Sequence, residues 1–261
     1  MGVFVFIPAR LKSTRLSEKP LKLIGGKPLI QWVYEGCLDS LKADRVFIAT
    51  DSEKIQMIAN GFGAEVVLTS PEHKSGTDRI AEACEKVNCG DNDIIVNVQG
   101  DEPQVTGELI DILAECLVSD SGADMVTLAY EKRDLQSFID PNVVKVVMDS
   151  EGYALYFSRS PVPYFRDFMG YRNLPNPLRN GNLQFPFWKH LGFYAYKFGF
   201  LKKFVKLPQG ALEKAEKLEQ LRALEHGYRI RVVSSPFDTK GIDTKQDLEE
   251  FERAILQGKS V

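Results

Sequence analysis

Three stretches of this 261-residue chain combine residue types and spacings suited to chemistry on a phosphate. The first is Arg10-Leu11-Lys12-Ser13-Thr14-Arg15-Leu16-Ser17-Glu18-Lys19, where four cations and small hydroxyl residues follow the apolar run Phe4-Val5-Phe6-Ile7. Backbone N–H groups, hydroxyls and fixed cations each take a phosphate oxygen, and a triphosphate needs several. The plain alternative is a solvated basic loop. Its place just after a first strand favours a ligand, because open α/β sheets bind beyond their strand C-termini. The second stretch is Val98-Gln99-Gly100-Asp101-Glu102-Pro103. A carboxylate beyond a buried strand, behind a glycine that admits a ligand, suits Mg²⁺ on a nucleotide phosphate. Asp101 reads either as that ligand or as a turn and capping residue before the next helix. The third is Lys240-Gly241-Ile242-Asp243-Thr244, where Asp243 is either a second Mg²⁺ ligand or a helix N-cap.

Four further groups carry weaker signals. Ser75-Gly76-Thr77-Asp78-Arg79 presents hydroxyls and N–H groups to a base or ribose, or simply caps a helix. Arg159, after an apolar strand, suits a carboxylate or phosphate. His190 and Tyr194 lie four residues apart on one strand and so share a face. A structural histidine is the ordinary alternative. Glu219 and Gln220 flank a helix's apolar stripe, where a solvated polar edge is the usual explanation.

The elements that must position these residues follow from periodicity. Pro8, which offers no ladder donor, closes the first strand. A Gly25-Gly26 turn precedes a helix from Leu29 to about Leu41. Strands at Val46–Thr50, Glu65–Leu68 and Ile94–Val98 alternate with helices, one entered through Asp51-Ser52 and one carrying Ile80, Ala83, Cys84 and Val87 inward. A further helix is expected over Thr106–Ser119. This alternation predicts a mostly parallel sheet with helices on both faces and right-handed connections. After about residue 124, the short runs Met125–Tyr130, Val143–Met148 and Tyr153–Phe157 lack helical crossovers and predict antiparallel pairing. Residues 161–186, rich in Pro, Asn, Arg and aromatics, read as an ordered loop or lid. A strand at Leu191–Tyr196, helices at Phe198–Val205 and Leu212–Glu225, a strand at Tyr228–Val233 and a terminal helix at Asp247–Leu256 complete the chain. One continuous domain, 1–261, with an inserted lobe at about 124–210 is the simplest organisation.

Composition narrows the function classes. A formal net charge of −3, with 44% hydrophobic and 26% charged residues, disfavours a nucleic-acid binder working through bulk electrostatics. No apolar run reaches the ~20 residues that span a bilayer, and the N-terminus lacks a signal-peptide layout. The four cysteines form no CxxC pair and read as reduced thiols of a cytoplasmic protein. A P-loop, a dinucleotide fingerprint, an HExxH motif and a GxSxG elbow are all absent from the sequence.

In order and spacing, the chain resembles the 3-deoxy-manno-octulosonate cytidylyltransferase (CMP-Kdo synthetase) family of Gram-negative lipopolysaccharide biosynthesis. The match runs nearly end to end: Ile7–Arg10, Ser13–Leu16, Lys19–Leu21, His73–Arg79, Asn97–Pro103, Pro141–Val147, Tyr153–Ser160, His190–Gly192, Leu218–Leu221 and Gly241–Thr244. The resemblance implies a Rossmann-like α/β nucleotidyltransferase whose smaller antiparallel lobe serves sugar binding and dimerisation. It implies attack by the anomeric hydroxyl of a 3-deoxy-octulosonic acid on the α-phosphate of CTP, with pyrophosphate leaving. Position by position, it assigns the triphosphate to Arg10, Arg15 and Lys19. The cytidine pocket falls to Pro8, Ala9, Ser75, Gly76 and Arg79, with Asp101 also facing the nucleotide. Mg²⁺ falls to Asp101 and Asp243, and the sugar acid to Gln99, Arg159, His190, Tyr194, Glu219 and Gln220. Arg159 is thereby counted with the catalytic residues. A cytoplasmic homodimer is implied, with no nucleic-acid or membrane partner.

The chain departs from the family pattern at Ser17-Glu18, which replaces a proline-containing step, at Lys74, which replaces a glutamine, and at Lys245, which replaces a proline. These departures leave every assigned ligand in place and open the acceptor to an 8-amino analogue of Kdo. The rival readings are a nucleotide-sugar-dependent glycosyltransferase and a non-catalytic nucleotide sensor. The cation-rich first loop disfavours the former, and the retained aspartates disfavour the latter.

Overall fold

The apolar run at the N-terminus forms the middle of β1 (Val3–Ala9), whose Val5, Phe6 and Ile7 are fully buried. The computed structural model describes residues 1–11, 16–166, 178–179 and 182–257. After β1 come the hairpin strands β2 (Leu23–Ile24) and β3 (Lys27–Pro28), α1 (Leu29–Leu38), β4 (Arg45–Thr50), α2 (Glu53–Gly61), β5 (Glu65–Leu68), α3 (Gly76–Lys86), β6 (Ile94–Asn97) and α4 (Gly107–Ser119). Then follow β7 (Met125–Asp134), α5 (Leu135–Ile139), β8 (Lys145–Met148), β9 (Ala154–Ser158), β10 (Leu178–Arg179) and β11 (Asn182–Lys197). The described chain ends with α6 (Phe198–Phe204), α7 (Ala211–Glu216), α8 (Gln220–Glu225), β12 (Ile230–Ser234) and α9 (Lys245–Leu256). Its contacts divide it into two units: Met1–Ser119 with Phe193–Val205 and Thr239–Val261, and Asp120–Gly192 with Lys206–Asp238.

In the first unit the sheet runs β6-β1-β4-β5, all parallel, and the end of β11 lies antiparallel beside β6 with Tyr194 opposite Asn97. Strand order therefore reverses at β1, which has β4 on one side and β6 on the other. Such a switch point opens a crevice at the carboxyl ends of the two strands. Pro8 does not end β1, contrary to the sequence reading. The β6 ladder stops at Phe6↔Asn97, whereas pairing with β4 continues through Pro8↔Ala49 to Ala9↔Thr50. The donor that proline lacks thus falls beyond the β6 ladder, where β1 and β6 part. Gly25 (φ 56°) and Gly26 (φ 86°) form the β2–β3 turn, which needs two left-handed residues.

A satellite core of Ile24, Leu29, Ile242 and Phe251, with Trp32, Leu248 and Ile255 against it, folds the C-terminal segment onto β2 and α1. That burial brings residue 243 beside the start of the chain.

In the second unit β7 pairs in parallel with β12, Met125 opposite Ile230. On its other edge β7 neighbours β11, with Thr127 beside Leu191 and Arg133 beside Gln184, an antiparallel course, so the antiparallel expectation for the first of the three short runs holds on one edge and not on the other. The other two do pair antiparallel, as β8 with β9 and β8 with β11. The single helix expected over Leu212–Glu225 is two, because Lys217 adopts the left-handed region (φ 55°) between α7 and α8. β11 starts nine residues earlier than expected, and α1 stops three residues short of Leu41. Residues 167–177 and 180–181 of the expected loop lie outside the described residues.

Candidate active site

The crevice at the carboxyl ends of β1 and β6 holds a cavity of about 300 Å³. Pro8, Ala9 and Arg10 line it from β1 and the residue after it, and Gln99, Gly100 and Asp101 from the turn after β6. Gly100 is needed there, since a Cβ at this position would stand 2.8 Å from the Pro8 carbonyl oxygen. Gln99 is held by its amide, which donates to Asn97 Oδ1 at 3.0 Å.

Ser75, Gly76 and Arg79 complete one wall from the first turns of α3. Ser75 and Asp78 form a capping box, the hydroxyl accepting from Asp78 N at 3.0 Å and Ser75 N donating to Asp78 Oδ2 at 3.2 Å. One segment therefore both caps α3 and lines the cavity. Arg79, only 3% exposed, donates to Thr69 Oγ1 at 2.5 Å and lies 3.5 Å from Asp51. It ties α3 to the ends of β5 and β4. His73 and Lys74 also line the cavity. His73 hydrogen-bonds Glu82, whose carboxyl also accepts from Ser70 N and Lys86. Burial opposes ionisation of Glu82, yet Lys86, the Ser70 N–H and His73 together pull its pKa down to about 2.

The charge centre of the crevice is Lys19. It opens a 3-10 turn, Lys19–Leu21, whose Pro20 is buried. Its ammonium lies 2.6 Å from Asp101 Oδ2 and 2.8 Å from Asp243 Oδ1. Burial works against the cation, but the two carboxylates outweigh it and raise the lysine pKa. Neither aspartate serves as a helix cap. Thr244 caps α9 through a box with Asp247, and Asp101 lies well ahead of Gly107. Ile242 N donates to the Asp101 carbonyl at 2.8 Å, which joins the two turns that bear the carboxylates. The two carboxylates, from distant parts of the chain, thus share one positive charge, the Lys19 ammonium. Among the described residues no third acidic, histidine or cysteine side chain joins them. Two carboxylates with substrate phosphates and waters suffice for Mg²⁺. Arg15, with Lys12, Ser13 and Thr14, lies outside the described residues.

The remaining predicted residues divide between the units. Tyr194, in the first, stands opposite Asn97 in the ladder. Arg159, His190, Glu219 and Gln220 belong to the second. Arg159 donates from Nε to the Glu216 carbonyl (2.8 Å) and from Nη1 to the Pro141 carbonyl (2.9 Å). His190 is buried, with Nε2 2.9 Å from Thr127 Oγ1 and its ring edge-on to Phe157. Burial pushes its pKa down to about 3, so it is neutral at physiological pH. Glu219 accepts from Arg222 at 3.4 Å. Gln220 is not on a solvated edge: it is 3% exposed, and its buried Nε2 has no hydrogen-bond partner among the described residues. A buried donor left over in this way calls for an acceptor that is not among the described residues.

A cytidylyltransferase family model matches residues 4–230. A 3-deoxy-manno-octulosonate cytidylyltransferase of Syntrophobacter fumaroxidans is 50% identical over 98% of both chains. Its counterpart in Francisella tularensis subsp. novicida is 48% identical over 97% of this chain and 98% of its own. A solved CMP:2-keto-3-deoxy-manno-octonic acid synthetase complexed with CTP superposes with a TM-score of 0.87 at 35% identity, covering 99% of this chain and 100% of that one. The chain belongs to the 3-deoxy-manno-octulosonate cytidylyltransferase family. A cytidylyltransferase of Leptospira borgpetersenii, at 18% identity and a TM-score of 0.62, shares its fold.

Within this cytidylyltransferase the sequence reading missed two supports, Asp51 beneath Arg79 and Glu82 beneath His73. Both are acids on or near helices, and nothing in their local sequence separates them from solvated charges. Only their half-buried pairing with a basic partner marks them. No helix among the described residues is long and apolar enough to cross a membrane.

Proposed function

We propose that this cytidylyltransferase transfers CMP from CTP to the anomeric hydroxyl of 3-deoxy-manno-octulosonic acid, releasing pyrophosphate, as a step of lipopolysaccharide biosynthesis. The observation that carries the reading is the meeting of Lys19, Asp101 and Asp243 at the mouth of a crevice walled by Arg10 and the start of α3. In-line displacement at phosphorus needs charge neutralisation and alignment, and no covalent nucleophile. Arg10 and Lys19, with Arg15, neutralise the triphosphate, while Ala9, Ser75 and Gly76 receive the nucleoside beside the buried Arg79. Gln99, Tyr194, Arg159, His190, Glu219 and Gln220 take the sugar acid. Neutral His190 and the unpaired amide of Gln220 then orient hydroxyls by hydrogen bonding.

Asp101 and Asp243 would hold Mg²⁺, since a cation already bridges their oxygens. When bound, the ion supplies Lewis-acid neutralisation of phosphate charge. Lys19, at the same position, would neutralise phosphate charge beside it. A cytoplasmic dimer, with its sugar-binding and dimerisation lobe at about 124–210, belongs to the same proposal.

The test is pyrophosphate release from CTP and Mg²⁺, with Kdo and 8-amino-Kdo in parallel. Release that depends on Kdo is expected, and preference for the 8-amino form would redefine the acceptor. Silence with both, from folded protein that binds CTP, would overturn catalysis in favour of a nucleotide sensor.

A further inference from the structure

Lys145, at the start of β8, is fully buried, and its Nζ donates to three backbone carbonyls: Val143 (2.6 Å), Arg159 (2.6 Å) and Asp140 (3.0 Å). A buried ammonium is costly, so side chains of this kind persist where a specific arrangement needs them. What this one arranges is Arg159. Lys145 holds the Arg159 carbonyl, while the Glu216 carboxylate accepts from Arg159 N (2.9 Å) and Ser158 Oγ (2.7 Å). The guanidinium is then fixed by the Glu216 and Pro141 carbonyls, the latter in the turn that Lys145 gathers through Asp140 and Val143. Backbone and side chain of Arg159 are thus both clamped, and its Nη2 makes no hydrogen bond among the described residues. A guanidinium with two donors engaged and one edge left over is prepared for a carboxylate.

We infer that Lys145 is a positioning residue, whose three-carbonyl clamp orients Arg159 to bind the carboxylate of the acceptor sugar acid. This rests on the proposed role of Arg159. The clamp titrates near neutrality: burial lowers the Lys145 pKa to about 8, with Arg159 adding to that fall and Asp140 and Glu216 opposing it. Above that pH the neutral amine has two N–H donors for three carbonyls.

The experiment measures KM for Kdo, KM for CTP and kcat in the wild type, in Lys145→Met, Lys145→Arg and Arg159→Ala, and in the Lys145→Met/Arg159→Ala pair. Lys145→Met should raise the Kdo KM roughly tenfold and leave the CTP KM within about twofold. In the pair it should add nothing to Arg159→Ala, and in the wild type the Kdo KM should climb above pH 8, a climb that Arg159→Ala abolishes. Arg159→Ala with an unchanged Kdo KM would refute the role of Arg159 itself. An effect of Arg159→Ala without any from Lys145→Met, or with equal effects on both KM values, would refute only the clamp. Should Lys145→Met fail to fold, a flat wild-type Kdo KM from pH 7 to 9 refutes it alone.

Discussion

At the scale of single residues, the site is a contest for one cation position. Lys19 balances Asp101 and Asp243 in the described structure, and the proposed Mg²⁺ would take the same two oxygens. The proposed role of the lysine is then to act where charge develops, on the phosphates in the transition state. Lys19→Ala is therefore expected to lower kcat by about 10²–10³ while the CTP KM moves only a few-fold, because the contact strengthens on the way to the transition state. Steady-state kinetics checks this, and an unchanged kcat with a raised CTP KM would place Lys19 in ground-state binding instead. Asp101→Asn should act through the metal: CTP turnover should need a higher Mg²⁺ concentration for half-saturation, measured by titrating Mg²⁺ at fixed CTP.

At the scale of elements, α3 is the strut of the nucleotide wall. Its capping box places Ser75 and Gly76, and Glu82 on the same helix fixes the preceding loop through His73 and Ser70. Ser75→Ala should cost about 1 kcal/mol of stability, read from chemical denaturation, and raise the CTP KM. Because the folded pKa of Glu82 lies below its ordinary 4.5, its stabilisation is whole above that value and is lost as pH falls toward about 2. Glu82→Gln should flatten the acid-unfolding curve across that window. The same helix shows what the sequence made legible. Its cap, its inward face and its pocket residues lie within one short segment, as do β1 with Arg10 and β6 with Asp101, so local pattern found them. Elements whose signals conflict were lost: Pro186 inside β11 argues against a strand, and Lys217 takes a left-handed turn usually given to glycine. Lys145 and Glu216 were unreadable for a different reason. Their work is done largely through backbone carbonyls and amides, and such partners leave no mark on residue type.

At the scale of the whole molecule, the predicted residues fall into two sets that the fold keeps in separate contact units. Every residue lining the crevice belongs to the first unit, whereas Arg159, His190, Glu219 and Gln220 belong to the second. The sequence hinted at this division where strand–helix alternation gives way after about residue 124. The parallel β7–β12 pair was beyond it, since partners about a hundred residues apart carry no shared local signal. If the proposed roles hold, the two substrates should leave different footprints in amide hydrogen exchange. CTP with Mg²⁺ should slow exchange at residues 73–79 and 99–102, whose amides sit in the capping turn and in the Gln99–Glu102 turn. The sugar acid should slow it at 158–160 and 219–221, beside Arg159 and the unpaired Gln220 amide. CTP at a hundred times its Kd should also stabilise the fold by about 2.7 kcal/mol, a melting shift of roughly 5 °C. Protection by CTP confined to the second unit would move the nucleotide out of the β1/β6 crevice, and with it the reading of Lys19 as the residue that meets the triphosphate.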